Sequence, residues 1–259
     1  MQLKELIETL MVGQLSQSSL AKFIIPKLTD LNDVDDTAQA QYAQSLGKVI
    51  RAINLGLTNI YTQLDLAKEE IFLDTNPGMD RYLLDIDHAV YAGSDSSKDK
   101  WIIDSEYSPF RGNIIECLSV ADEFGASMYT NDSAATWNVN FPSPNIIQVP
   151  FAEDDVTLSI IYKANHPKIP FSLTKSLPIT GTEILGYTTP DMEIELPEFL
   201  HNALTCFVAH KYFQSLGSAE TSAQSQTNYV EYINAVNDAK PFIHGNYTQI
   251  DNLANEGWV

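Results

Sequence analysis

The sequence predicts an α+β protein: a helical bundle formed by N- and C-terminal helices, with an inserted β-sandwich or barrel-like region. Three observations point there. Apolar residues recur at helical spacing from Tyr42 to Leu64, short strand-like runs punctuated by Gly and Pro fill the middle, and helical spacing returns after Pro197. With 259 residues, 44% hydrophobic, the chain has enough apolar material for one or two self-sufficient domains.

Residues 1–65 form the N-terminal helical part. Leu3, Leu6, Ile7 and Leu10 mark a first helix, which the serines from Ser16 to Ser19 interrupt. Asp33 to Thr37 supplies an acidic, cap-like start for a longer helix. Within it Tyr42, Leu46, Val49, Ile50, Ile53, Leu57, Ile60, Tyr61 and Leu64 advance by steps of three, four and one, an apolar stripe that ends near Gln63.

Residues 66–182 read as the β insertion. Ile71-Phe72-Leu73 and Tyr82-Leu83-Leu84 flank Asn76-Pro77-Gly78, the pattern of two strands joined by a turn. Further strands are expected at Ile114–Val120, Thr136–Phe141, Ile146–Phe151 and Val156–Tyr162, separated by Pro142 to Asn145 and by Glu153-Asp154-Asp155. Short strands at this spacing belong to small sandwiches and barrels. Gly93 to Lys100 reads as an exposed loop.

Residues 183–240 form the C-terminal helical part, packing with 1–65. Met192 to Leu196 reads as a closing strand, and Pro197 sits at the first turn of a helix whose broad face carries Leu200, Leu204, Phe207, Val208, Lys211 and Tyr212. Gly217 stops it. A second helix from about Glu220 to Asn237 gathers Tyr229, Tyr232, Ile233 and Val236, and Pro241 ends it. Residues 241–259 are then an extended C-terminal tail in which Phe242, Tyr247 and Trp258 are the binding anchors.

Charge excludes several functions. The chain carries 34 acidic and 15 basic residues, a formal −19, which disfavours binding to phosphate backbones and to anionic lipid. Its two cysteines, Cys117 and Cys206, cannot make a disulfide framework, so reduced thiols are expected. The N-terminal stretch carries charges throughout and lacks a signal-peptide core, and no run approaches the roughly 20 apolar residues that span a bilayer.

Motifs of catalysis are sparse. Cys206 and His210 lie about 40° apart on one helix while His201 points away, so the three do not converge on a metal. Asp85, Asp87 and His88 follow a strand where a polar turn belongs. Glu193 and Glu195 alternate onto one strand face, the pattern of a solvated edge. Ser19-Leu20-Ala21-Lys22 has the S-x-x-K form without its companion motifs, and no P-loop, G-x-S-x-G or G-x-G-x-x-G occurs. The expectation is a protein that is not an enzyme and uses no cofactor or metal.

The helix–β–helix layout, with Leu196-Pro197-Glu198-Phe199-Leu200-His201-Asn202-Ala203-Leu204, resembles the head–tail adaptor (connector) proteins of tailed bacteriophages, in particular the tail tubular protein A family of short-tailed phages. The resemblance covers most of the chain. It rests on the long N-terminal helix, on 72–84 as the family's early hairpin, on the motif residues Leu196, Pro197, Leu200, His201, Ala203 and Leu204, and on 224–236 as the closing helix.

Such proteins are structural virion components. They form a homo-oligomeric ring, usually a dodecamer, between the portal at the capsid vertex and the tail or nozzle protein, and they extend the DNA channel for genome ejection. The resemblance therefore implies a location in the neck of the virion after assembly in the host cytoplasm. Its implied partners are further copies of the chain, the portal and the tail, and residues 242–259 would be the portal-docking arm.

The acidity fits a conduit: a negative wall keeps DNA from sticking as it passes without specific binding. From Glu183 onward the chain has ten acidic residues against Lys211 and Lys240, and Glu193, Glu195, Glu198, Glu220 and Glu231 are the candidate channel-lining acids. The alternative from another class is an acidic carbohydrate-binding or glycoside-processing protein using the β region, with Glu193, Glu195 and Trp137 as its residues.

Overall fold

A computed structural model describes residues 1–16, 18, 36–91, 99–104, 109–132, 138–149, 156–176, 184–188 and 192–255; side chains at 36–43, 91, 172–176, 184–188 and 244–255 lie outside the description. Among these residues the fold is α+β, with four α-helices and mixed sheets that do not close into a barrel. By packing, the chain divides into two compact units: Tyr61–Pro167, and Met1–Ile60 together with Lys168–Val259.

The first of these units is built from β1 (Lys68–Asp74), β2 (Arg81–Leu83), β3 (Ala89–Tyr91), β4 (Ile102–Asp104), β5 (Ile114–Ala121), β6 (Tyr129–Thr130), β7 (Asn138–Ser143), β8 (Ile146–Gln148) and β9 (Thr157–Ala164). One sheet has the order β3-β4-β1-β9-β5 and the other β2-β8-β7-β6. Their inward side chains meet in a single cluster. Ile71, Leu73, Leu158 and Ile160 come from the first sheet, Tyr82, Val139 and Ile147 from the second. Alternation along β1 and β9 turns these residues in and leaves Phe72 and Ile161 outside.

The expected hairpin of 71–73 with 82–84 does not form. β1 pairs with β9 over seven residues, from Lys68↔Lys163 to Asp74↔Thr157, whereas β2 pairs with β8 in the other sheet. The connection is a crossover held by its own polar groups. Thr75 exchanges hydrogen bonds with Val156, and the Tyr82 hydroxyl accepts the Asn76 N–H at 2.8 Å and donates to the Met79 carbonyl at 2.9 Å. The Asn-Pro-Gly signal marks a real turn, but long-range pairing outweighs local hairpin closure. The barrel alternative fails at β5, an edge strand whose ladder to β9 is twice shifted, at Ile114/Glu116 and Cys117/Ser119.

The second unit contains β10 (Ser172–Ser176) and β11 (Ile184–Thr188), which among the described residues pair only with each other. It also holds α1 (Leu3–Val12), α2 (Asp36–Gln63), α3 (His201–Gln214) and α4 (Ala219–Asn255). The sequence reading places residues up to 182 with the β region. They group with the helices from Lys168 because α2 captures the chain there. Asn54 accepts the Ile169 N–H at 2.8 Å and donates to its carbonyl at 3.0 Å, and Phe171 lies over Gly47.

Helix periodicity translates directly into the core. α1 buries Leu3, Leu6, Ile7, Leu10 and Met11, and the Glu5 carboxylate accepts the Gln2 N–H at its first turn. On α2 the stripe from Leu46 to Ile60 is inside. α3 adds Leu204, Phe207 and Val208, and Gly217, at φ 72°, supplies the left-handed turn into α4. Tyr232 of α4 sets its ring 5.0 Å from Phe207 and donates its hydroxyl to Asn59 of α2 at 2.8 Å.

Two further expectations are corrected. Met192 to Leu196 is not a strand: its ladder is a single bridge between Glu193 and Gln2. Nor are residues 241–255 an extended tail, since α4 runs through Pro241 as far as Asn255, and 256–259 lie outside the described residues. Proline's fixed φ of about −65° is itself helical, so the helix forgoes one hydrogen bond, to the Asn237 carbonyl, and resumes. Buried Ala239 on one side and Phe242 against Phe199 on the other hold that turn in place.

Candidate functional site

α2 and α3 bury their apolar faces together but leave a groove of about 250 Å³ on one side. Val208, Leu55 and Tyr212 form its apolar surface, and Leu55 is 49% exposed. Lys48, Arg51 and Lys211 stand around it. Lys211 rests over the Phe207 ring, 5.6 Å from its centroid. Among the described residues neither Lys48 nor Arg51 is paired with a carboxylate, and no acidic residue lines the groove. In a chain of charge −19 this is a local inversion of sign.

A second hollow, of about 210 Å³, lies between α3 and α4. Phe199 and Phe242 flank it with their centroids 6.3 Å apart, 52% and 73% exposed. Ala235 and Asp238 belong to its wall, and Glu198 is the exposed neighbour of Phe199. On α4 the residues Glu231, Ala235, Asp238 and Phe242 follow steps of four, three and four, one stripe of a helix. This patch pairs exposed aromatic surface with negative charge.

The motif residues singled out in the sequence organise the start of α3. Leu196, Leu200, Ala203 and Leu204 are buried. The Pro197 carbonyl accepts the Leu200 N–H at 2.9 Å, and His201 Nε2 lies 3.0 Å from the Leu196 carbonyl. The candidate acids Glu193, Glu195, Glu198, Glu220 and Glu231 are all exposed, and Glu231 also accepts the Cys206 thiol at 3.5 Å. Of the candidate tail anchors, Phe242 sits on α4. The Tyr247 backbone is helical, its side chain lies outside the description, and Trp258 lies outside the described residues.

The sparse chemical motifs turn out to hold structure together. Cys206 is fully buried. Burial pushes its thiol from the ordinary 9.0 up to about 11, and the Glu231 carboxylate beside it adds to the rise. His210 Nδ1 lies 3.0 Å from the Ser225 carbonyl and 2.9 Å from its hydroxyl, tying α3 to α4. Asp85 caps a short 3-10 turn by accepting the Asp87 N–H. His88 stacks on Trp101 at 3.8 Å, with Nδ1 2.8 Å from the Asp99 carbonyl. Among the described residues no group of three or more His, Cys, Asp and Glu is arranged to hold a metal ion, and no helix is long and apolar enough to cross a membrane. Ser19 to Lys22 and Trp137 lie outside the described residues.

The basic groove escapes motif reading because its parts are 160 residues apart, yet a signal for it exists. Between Asp36 and Asp65 the chain has no acidic residue, and between Glu198 and Glu220 it has none either. Those two acid-free stretches are α2 and α3, and their only basic residues are the three that surround the groove. Compared with known proteins, the sequence matches no family model and no curated protein.

Proposed function

We propose that this chain is a structural subunit of a tailed-bacteriophage neck, a head–tail adaptor whose copies form a ring, usually of twelve, between portal and tail. The observation that carries the reading is the chain path. One helical unit is assembled from both ends of the sequence, and a β unit, Tyr61–Pro167, is inserted between them. The adaptor-like segment Leu196–Leu204 supports it by packing the start of α3 into that unit. The finer reading of the fold, a helical bundle carrying an inserted two-sheet sandwich, is supported by the one buried cluster to which both sheets contribute.

In this reading Glu193, Glu195 and Glu220, all exposed, belong to the wall past which DNA slides, where negative charge prevents adhesion. Portal docking falls to the chain beyond Phe242, including Tyr247 and Trp258. The protein needs no catalytic residue or cofactor, and it acts in the assembled virion after assembly in the host cytoplasm.

Co-sedimentation of the purified chain with portal rings tests this. A complex showing rings of this chain in electron micrographs, lost on deletion of residues 244–259, is the expected result. Saccharide binding by a monomer that ignores the portal would overturn it.

A further inference from the structure

We infer that the basic groove between α2 and α3 is a socket for the acidic aromatic patch between α3 and α4 of a second copy of this chain. The interface is head-to-tail. Its two halves are both visible in one molecule, and they are opposite in charge.

Charge complementarity picks the occupant. The groove is surrounded by Lys48, Arg51 and Lys211 and, among the described residues, lined by no acidic one, so its partner must present carboxylates around an apolar anchor. The patch around Phe242 does this with Asp238 in its wall, and the exposed Glu198 immediately precedes Phe199 in the chain. Size agrees as well. A cavity of about 150 Å³ accommodates a benzene ring, and the groove offers about 250 Å³ for the Phe242 ring. Phe242 is 73% exposed, an aromatic surface that association would remove from water.

Geometry forbids the two halves from meeting within one molecule. Asn202 borders the patch and Lys211 borders the groove. Nine residues apart on α3, they point in directions about 180° apart and are displaced by about 13 Å along the axis. A site facing one way and its complement facing the other make a heterologous contact. Repetition of that contact gives a closed ring or an open filament, according to the rotation per step. Closure into a ring rests on the adaptor reading; the contact itself does not.

Charge reversal tests the contact in the full chain. Lys48→Glu/Arg51→Glu and Glu198→Lys/Asp238→Lys alter only exposed side chains. By sedimentation velocity the wild type associates with rising concentration, and each variant alone associates at least about tenfold more weakly because like charges now meet. Mixing the two variants restores association, since the acidified groove then meets the basified patch and the native groove meets the native patch.

Phe242→Ser, which removes the anchor without touching charge, weakens association in the same assay. A wild type that stays monomeric up to its solubility limit overturns the inference, because the groove is then filled by another part of the chain or by a different protein. Failure of the mixture to recover also overturns it. The two readings separate in electron micrographs. Rings formed equally by the charge-reversed variants leave the adaptor standing and refute this contact. Wild-type filaments that the variants cannot make support the contact and refute the ring.

Discussion

Gly56 of α2 and Leu204 of α3 stand so close that a Cβ at position 56 would lie 2.7 Å from Leu204 Cδ1. The Phe207 ring, 3.0 Å away on the same side, closes the remaining space. Leu204 and Phe207 are both buried, so neither can swing into solvent to make room. The absent side chain is what brings the two helices together, and their contact is the base on which the basic groove rests.

Gly56→Val should therefore destabilise the protein by about 2 kcal/mol or more, the cost of overpacking a filled interior. The helix-propensity gain over glycine, under about 1 kcal/mol, does not offset it. Urea denaturation followed by circular dichroism measures the difference. A variant as stable as the wild type would mean that the helices are not in close contact there.

Asp65 and Lys163 make an unequal ion pair. The ammonium is 2.8 Å from the carboxylate and donates to the Thr62 carbonyl at 2.9 Å, but the lysine side chain is 8% exposed against 36% for the aspartate. Asp65→Ala leaves a charge buried and should cost about 3 kcal/mol. Lys163→Met leaves a carboxylate that water can reach and should cost less. Denaturation midpoints of the two variants give the order, and a larger loss for Lys163→Met would contradict it.

The Cys206 thiol makes stability depend on alkaline pH. Its folded-state value of about 11 lies above its ordinary 9.0, so between those two the unfolded chain loses a proton that the folded chain keeps. The contribution is fully present below pH 9 and is lost as pH rises toward 11. Tyr162, whose phenol is pushed up by burial and by its hydrogen bond to Glu69, acts in the same sense. Stability of the wild type should fall more steeply between pH 9 and 11 than that of Cys206→Ala, as read from denaturation midpoints across that range. Parallel curves would remove the thiol from the account.

Pro241 interrupts the hydrogen bonds of α4 without ending the helix. Pro241→Ala restores the missing N–H and removes the ring's steric demand, so amides after position 241 should exchange with solvent more slowly. Hydrogen exchange read by mass spectrometry checks this, with the helical signal of the whole chain rising or holding. Faster exchange beyond 241 would show that the helix depends on the proline.

The elements legible in the sequence are those whose periodicity is local. The α2 stripe from Leu46 to Ile60, the α3 face around Leu204 and Phe207, and the turn at Gly217 each follow from spacing or backbone freedom within a few residues. The misread elements depend on distant partners. Leu73 and Tyr82 look like the arms of one hairpin, yet they lie in different sheets because β9 offers β1 a seven-residue ladder. Met192 to Leu196 has strand-like alternation but gains only one bridge, to Gln2. The candidate site divides the same way. Phe242 is conspicuous as an aromatic near the C-terminus, whereas its neighbour Phe199 and the bases facing away from both emerge only once α3 is in place.

By itself the sequence determined the α+β class of the protein, the extent of the long helix α2, and the formal charge of −19. Burial periods and net charge are properties of the chain that no fold can reverse. Tertiary structure alone decided strand partnership, the continuation of α4 through Pro241, and the gathering of Lys48 and Arg51 with Lys211. The physical reason is common to all three. Each is settled by what residues far apart in sequence offer one another, a longer ladder, a packed turn or a shared acid-free face, and those offers exist only when the chain has folded.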